Sequence, residues 1–431
     1  MESIWTNTAS LPSFPALEEG IRTDVLIIGG GMAGLLCAYR LQKAGVSCVV
    51  AEADTIAGGV TKNTTAKITA QHGLIYGQLI RKFGPEKARQ YYEANRLALN
   101  EYARLCQGMD CDFTLRDNFI YSRKDPGVLE VELNVMDALG IPGVFSHTPE
   151  LPFPTVGAVM LPEQAQFHPL KFLRFLVKDL TIYEHTPVRK LQNSVAITDR
   201  GPITADAIVA ATHFPFWNRH GSYFLKLYQQ RSYALSLGNA PVPEGMYLGA
   251  EENGLSLRGY GSSLILGGGG HRTGKPGGNW QELESVVRQY YPQAKITHRW
   301  ATQDCMALDG VPYIGRYSAR TENVYVATGF NKWGMTGSMA ASMVLTDLIT
   351  GKGSAFESLF SPSRSMLRPQ LGINALEAIG NLCSFSTPRC PHMGCALKWN
   401  PQERSWDCPC HGSRFAEDGS LMDNPATRGL S

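Results

Sequence analysis

Residues 23–28 read TDVLII, a branched apolar run, and then the periodicity changes. Glycine occupies positions 29, 30, 31 and 34, after which apolar side chains return at Leu35, Leu36, Ala38 and Leu41 with helical spacing. The pattern predicts strand, glycine turn and helix. Gly45 ends that helix, and residues 47–51 predict a second short strand that stops at Glu52. Gly84-Pro85 opens a long helical pattern through Tyr92, Asn95 and Leu99, with proline at its favoured first turn. Residues 232–237, 255–260 and 263–266 predict strands of a second sheet, and Gly267 to Gly270 a turn. Residues 323–327 predict a strand, 328–336 lead into a helix ending before Gly351, and 374–382 predict a short helix after a Ser/Pro/Arg-rich stretch.

With 431 residues, 43% hydrophobic and 18% charged, the chain is globular and long enough for two or three domains. Its 40 Lys plus Arg against 38 Asp plus Glu leave a formal charge of +2, too little for a phosphate-tracking stripe, so no nucleic-acid partner is expected. The most apolar stretch, 25–41, contains four glycines and Arg40, which argues against a membrane span. No basic head followed by an apolar run marks the N-terminus, so the expected location is cytoplasmic. Five of ten cysteines fall between Cys383 and Cys410, a clustering that favours metal ligation over scattered disulfides.

The turn Gly29-x-Gly31-x-x-Gly34, with Met32 and Ala33 at the helix start, has the spacing of a dinucleotide site. The first glycine permits the tight turn, the second lets backbone approach a pyrophosphate, and the third lets helix pack on strand. Glu52, 18 residues beyond Gly34, is placed to accept from ribose hydroxyls. At the other end stand Cys390-Pro-His392-Met-Gly-Cys395 and Cys408-Pro-Cys410-His411-Gly-Ser413. Two Cys and two His satisfy an iron-sulfur centre or a structural zinc ion.

Beyond Glu52 runs AGGVTKNTTAKIT (57–69), and the C-terminal half adds LDGVPYIG (308–315) and TGFNKWGMT (328–336). Over residues 22–353 this ensemble resembles the D-amino acid oxidase and glycine oxidase superfamily of FAD enzymes. The resemblance implies an α/β fold: a Rossmann-like FAD-binding domain with an inserted α+β substrate domain. Gly29, Gly31, Gly34 and Glu52 would hold the ADP half of FAD, with Val188 at the adenine and Thr212 at a third strand end. Thr61, Thr64 and Thr65 would lie along the flavin, and Gly334, Met335 and Thr336 would close over its O2 edge. Lys332 is the candidate cation near flavin N1 and His271 a candidate substrate contact, the two candidate catalytic residues. Relatives carry a carboxylate-gripping base at the position of Thr336, and this chain has none there. Some relatives tether FAD to Cys or His; Cys305 does not fall at the family's place, which leaves His72 as the candidate for such a tether.

The C-terminal boxes resemble the Rieske signature, which implies a small all-β domain with a 2Fe-2S cluster: Cys390 and Cys408 on one iron, His392 and His411 on the other. The resemblance also implies a Cys395–Cys410 disulfide and a Ser413 hydroxyl donating to a cluster sulfur. Phe415 replaces the tyrosine of high-potential members, so a lower potential is expected. The expected divisions are an FAD part at 21–80, 150–215 and 300–353, a substrate part at 81–149 and 216–299, a linker at 354–384 and the Rieske part at 385–431. The expected activity is oxidation of a small substrate, an amine, by hydride transfer to flavin, with electrons relayed through the cluster to an external one-electron carrier. The alternatives are a cluster-fed flavin reductase and a non-catalytic redox sensor or electron carrier.

Overall fold

A computed structural model describes residues 2–218, 220–384 and 388–430. The branched apolar run forms the strand Ile21–Ile28, flanked in parallel by Cys48–Ala51 on one side and Gly201–Ala210 on the other. Thr181–Tyr183 and Val324–Thr328 extend the parallel order outward, and Tyr313–Arg316 closes one edge antiparallel. Ile28 pairs with both Ala51 and Ala210, so the three strands end level. Gly29, Glu52 and Ala211 therefore share one edge, the place where open α/β sheets bind ligands. The helix Met32–Lys43 packs on Gly334–Ile349, and the long helix Pro85–Cys106 lies against the latter.

A nine-stranded sheet forms the second layer, in the order 295–307, 227–238, 263–272, 256–260, 246–249, 114–122, 157–166 and 67–68, with 144–146 paired alongside. The strands 157–166 and 67–68, and most of 295–307, thus come from ranges that the sequence reading gives to the FAD part. They join the second sheet because their partners, such as 114–122 and 227–238, lie there. The quartet Gly267–Gly270 is not a turn: it continues Ser263–Arg272, with Gly267 paired to both Ala234 and Ser256. A strand without side chains leaves open space on its face.

The C-terminal module is a four-stranded meander, Lys398–Asn400, Ser405–Asp407, Arg414–Ala416 and Leu421–Asp423. The helix before it begins at Pro369, five residues earlier than the apolar pattern predicts, because proline serves as its first residue. Residue 385, where the sequence pattern starts the Rieske part, lies outside the described residues. No helix among the described residues is long and apolar enough to cross a membrane.

Candidate functional site

A cavity of about 770 Å³ opens where the strand ends of the first sheet face the second sheet. Gly29 turns the chain with φ +110°, and a side chain there would meet the Ala211 carbonyl at 2.5 Å. A Cβ on Gly34 would lie 1.9 Å from the Gly29 carbonyl oxygen, so only glycine lets this helix sit on its strand. Gly31, Met32 and Ala33 line the cavity and direct the helix N-terminus at it. Glu52 accepts from the amides of Gly30 (2.6 Å) and Asp54 (2.9 Å), and burial pushes its carboxyl above the ordinary range.

Thr61, Thr64 and Thr65 line one wall. Thr61 Oγ1 accepts from the Met32 amide at 3.0 Å, and Thr64 Oγ1 from the Ala66 amide at 2.9 Å. Trp5 donates to the Thr64 carbonyl (2.7 Å) and is fully buried, a support that the polar N-terminal sequence did not announce. Val188, Thr212, Gly334 and Met335 also reach the wall. Thr336 does not: it is 1% exposed, and its Oγ1 lies 3.0 Å from Nε2 of His72. The first helical turn carries it inward, toward the core. His72 faces the cavity, but Nδ1 meets the Tyr91 hydroxyl and Nε2 the Thr69 carbonyl, and burial lowers its pKa to about 3. It is a neutral, fully engaged ring. Cys305 also lines the cavity, and burial pushes its thiol up to about 12.

Lys332, held in the left-handed region, is exposed and donates to Ser232 Oγ at 3.2 Å. His271 misses the cavity wall. Its neighbour Gly270 takes the inward place on the strand, while the His271 ring stacks on Tyr233 at 5.8 Å. Among the ionisable side chains on the wall that had no signal in the motif pattern are Lys67 and Asp304. Burial pushes the Asp304 carboxyl up, opposed by Lys332.

The cluster module contributes Leu421, Met422, Asn424 and Thr427 to the same cavity. Its two loops each close on themselves, Gly394 N to Cys390 O at 2.8 Å and Gly412 N to Cys408 O at 2.9 Å. A disulfide joins Cys395 to Cys410, which leaves the thiols of Cys390 and Cys408 and two imidazoles facing inward. The His392 and His411 rings lie 4.9 Å apart, and Nδ1 of each is buried without any partner. Burial lowers their pKa values to about 4 and about 3. Neutral imidazoles with orphaned nitrogens beside two thiols fit metal ligation. Contact with Cys408, and then the His392 amide and the Ser413 hydroxyl, pulls the Cys390 thiol down toward thiolate.

The outer edges of both rings meet the larger domain. His411 Nε2 lies 3.0 Å from the Phe224 carbonyl, and His392 Nε2 lies 2.7 Å from the Asn218 amide. Gln229 and Gln303 donate to the carbonyls of His411 and Gly412, and Arg272 to those of Pro409 and Cys410. Glu403 joins Arg414 of its own module to Arg231 of the second sheet in a buried ion cluster.

The family model "FAD dependent oxidoreductase" matches residues 24–348, and "Rieske [2Fe-2S] domain" matches 378–431. The chain belongs to the FAD dependent oxidoreductase family. This FAD dependent oxidoreductase carries a C-terminal Rieske domain, so its cofactors are FAD and a 2Fe-2S cluster. It is 35% identical to a putative Rieske 2Fe-2S iron-sulfur protein, YhfW, of Bacillus subtilis (strain 168), over 100% of this chain and 97% of that one. It is 22% identical to gamma-glutamylputrescine oxidoreductase of Escherichia coli (strain K12), over 80% of this chain and 87% of that one. Glycine oxidase from Geobacillus kaustophilus superposes with a TM-score of 0.68 at 19% identity, covering 80% of this chain and 99% of the other. L-proline dehydrogenase from P. horikoshii gives 0.67 at 19%, covering 81% and 98%.

Proposed function

We propose that this oxidoreductase removes two electrons from a small amine in the cavity and delivers them singly, through the cluster, to an external one-electron carrier. When bound, FAD supplies a two-electron acceptor and the cluster a one-electron carrier. Gly29, Gly31, Gly34 and Glu52 would hold the ADP half, Thr61, Thr64 and Thr65 the flavin side, and Cys390, His392, Cys408 and His411 the cluster.

The observation that carries this reading is the position of Phe214. It is fully buried, its ring centroid lies 6.4 Å from His392 and 6.0 Å from His411, and it follows Thr212 and His213 of the cavity wall. Phe214 therefore ties the wall segment 212–213 to both imidazoles. Asn424 of the cluster module donates to the carbonyls of Thr212 and Phe214, fixing that segment. The C–N bond as the target is supported by the relatives named for amine and amino-acid oxidation.

Anaerobic photoreduction of the purified protein tests the relay. Bleaching of the flavin should be followed by the EPR signal of a reduced Rieske centre, and a cluster that stays oxidised beside a fully reduced flavin overturns it. A panel of amines in stopped flow then tests the substrate class, since a sensor or carrier would show no substrate-specific bleaching.

A further inference from the structure

The loop that forms one wall of the cavity is held from behind at five successive carbonyls. Ser3 Oγ donates to the Lys62 carbonyl, Trp300 Nε1 to that of Asn63 at 3.0 Å, and Trp5 Nε1 to that of Thr64 at 2.7 Å. Arg258 Nη1 then donates to the carbonyls of Thr65 and Ala66, at 2.8 and 2.7 Å. Ser3, Trp5, Arg258 and Trp300 are all buried and none of them lines the cavity, whereas Asn63, Thr64 and Thr65 do. The donors thus stand on the side of the loop away from the cavity. Two of them, Ser3 and Trp5, come from a segment that precedes residue 24, where the match to the FAD family begins.

Fixing a carbonyl also fixes the amide across the same peptide bond. A trans peptide is planar, with its C=O and N–H directed oppositely. With the Thr64 carbonyl drawn to the buried indole, the Thr65 N–H is turned toward the cavity, and it meets no acceptor among the described residues. The next amide, that of Ala66, differs, because it donates to Thr64 Oγ1 at 2.9 Å. A backbone donor left open on a cavity wall calls for an acceptor there. Trp5 is itself immobilised: its ring sits edge-to-face with Tyr260 at 4.8 Å and His168 at 5.1 Å, and the Arg258 guanidinium lies 5.4 Å from it.

We propose that Trp5 is a positioning residue of the flavin site: from behind the wall it holds the Thr64–Thr65 peptide so that the Thr65 amide donates to the flavin ring. The proposal rests on the reading that Thr64 and Thr65 lie along the flavin. A donor locked toward the ring favours the reduced form, which carries more negative charge, and needs no reorganisation when electrons arrive. Trp5 therefore raises the flavin potential from a place outside the cavity wall.

Trp5→Phe tests this, since it removes the indole N–H and keeps a buried aromatic ring. In the FAD-loaded protein a redox titration should show a lowered flavin midpoint, with the cluster midpoint unchanged in EPR. The affinity for FAD, read by fluorescence quenching, should fall about 2- to 10-fold, the range for one lost hydrogen bond. A merely structural role would lower the melting temperature and leave the flavin midpoint in place, and that result overturns the proposal. An equal fall of flavin and cluster midpoints, the mark of a global disturbance, overturns it too. If Trp5→Phe fails to fold, Ser3→Ala takes its place: it frees the Lys62 carbonyl of the same loop, and the flavin midpoint should fall by a smaller amount. An unchanged midpoint there, in protein that retains FAD, again overturns the proposal. Thr65→Val alters the wall itself and should perturb the flavin absorption band. A perturbed band there beside an unaltered midpoint in Trp5→Phe removes the role of Trp5 and keeps the flavin reading, whereas an unperturbed band removes both.

Discussion

The glycine turn and the cluster loops are the two proposed redox sites, yet they are built from opposite materials. At the turn the specifying element is backbone: Gly29 at positive φ, Gly34 against a carbonyl, and a helix N-terminus supported by a large apolar core. In the cluster module the specifying element is a donor set, two thiols and two imidazoles, and the core beneath is small. Of its seven buried hydrophobic residues, four are cysteines. So few apolar groups cannot hold a domain alone. The module leans instead on buried ions and on amide and guanidinium donors from the larger domain. A backbone-built site should thus fail through crowding, and a donor-built site through loss of a donor or of its external supports.

The sharpest break is His411→Ala. The Rieske EPR signal and turnover with an artificial one-electron acceptor should disappear, while substrate-dependent flavin bleaching persists; retained acceptor turnover would sever the cluster from the reaction. Next comes Glu403→Gln, which strips the buried Arg231 of its ion partner and Arg414 of one of three. A loss of about 3–5 kcal/mol is expected for breaking such a pair, with iron released before FAD in a thermal melt. Simultaneous release would show that the two regions do not differ in their supports. Gly34→Ala should cost about 1–3 kcal/mol by overpacking and lower the flavin-to-protein ratio, leaving the cluster spectrum intact. The smallest effect is that of Phe415→Tyr. Phe415 is fully buried, and an added hydroxyl donor toward the cluster should raise its midpoint modestly in redox-titrated EPR. An unchanged or lowered value contradicts that.

Much of the site was legible along the chain because local geometry demands particular residues. The strand, glycine turn and helix followed from apolar spacing and from where a Cβ cannot fit. The cluster boxes were legible because metal donors must be Cys and His at short separations. Where expectation and structure part, the cause is tertiary. Gly267–Gly270 reads as a turn in isolation, but neighbours on both sides pair it into a strand. Period-two alternation then puts Gly270, not His271, on the cavity wall. Thr336 turns to His72 because the helix that carries it faces the core.

By itself the sequence determined what short stretches can specify: a glycine turn between strand and helix, an acid at the next strand's end, and two Cys and two His in two loops. Only the tertiary structure decided which face of each strand meets the cavity, that Phe214 touches both imidazoles, and that Lys67, buried on the wall, pairs with no carboxylate among the described residues. Those facts depend on contacts between residues far apart in the chain, where spacing carries no signal and burial alone sets the energy of a charge.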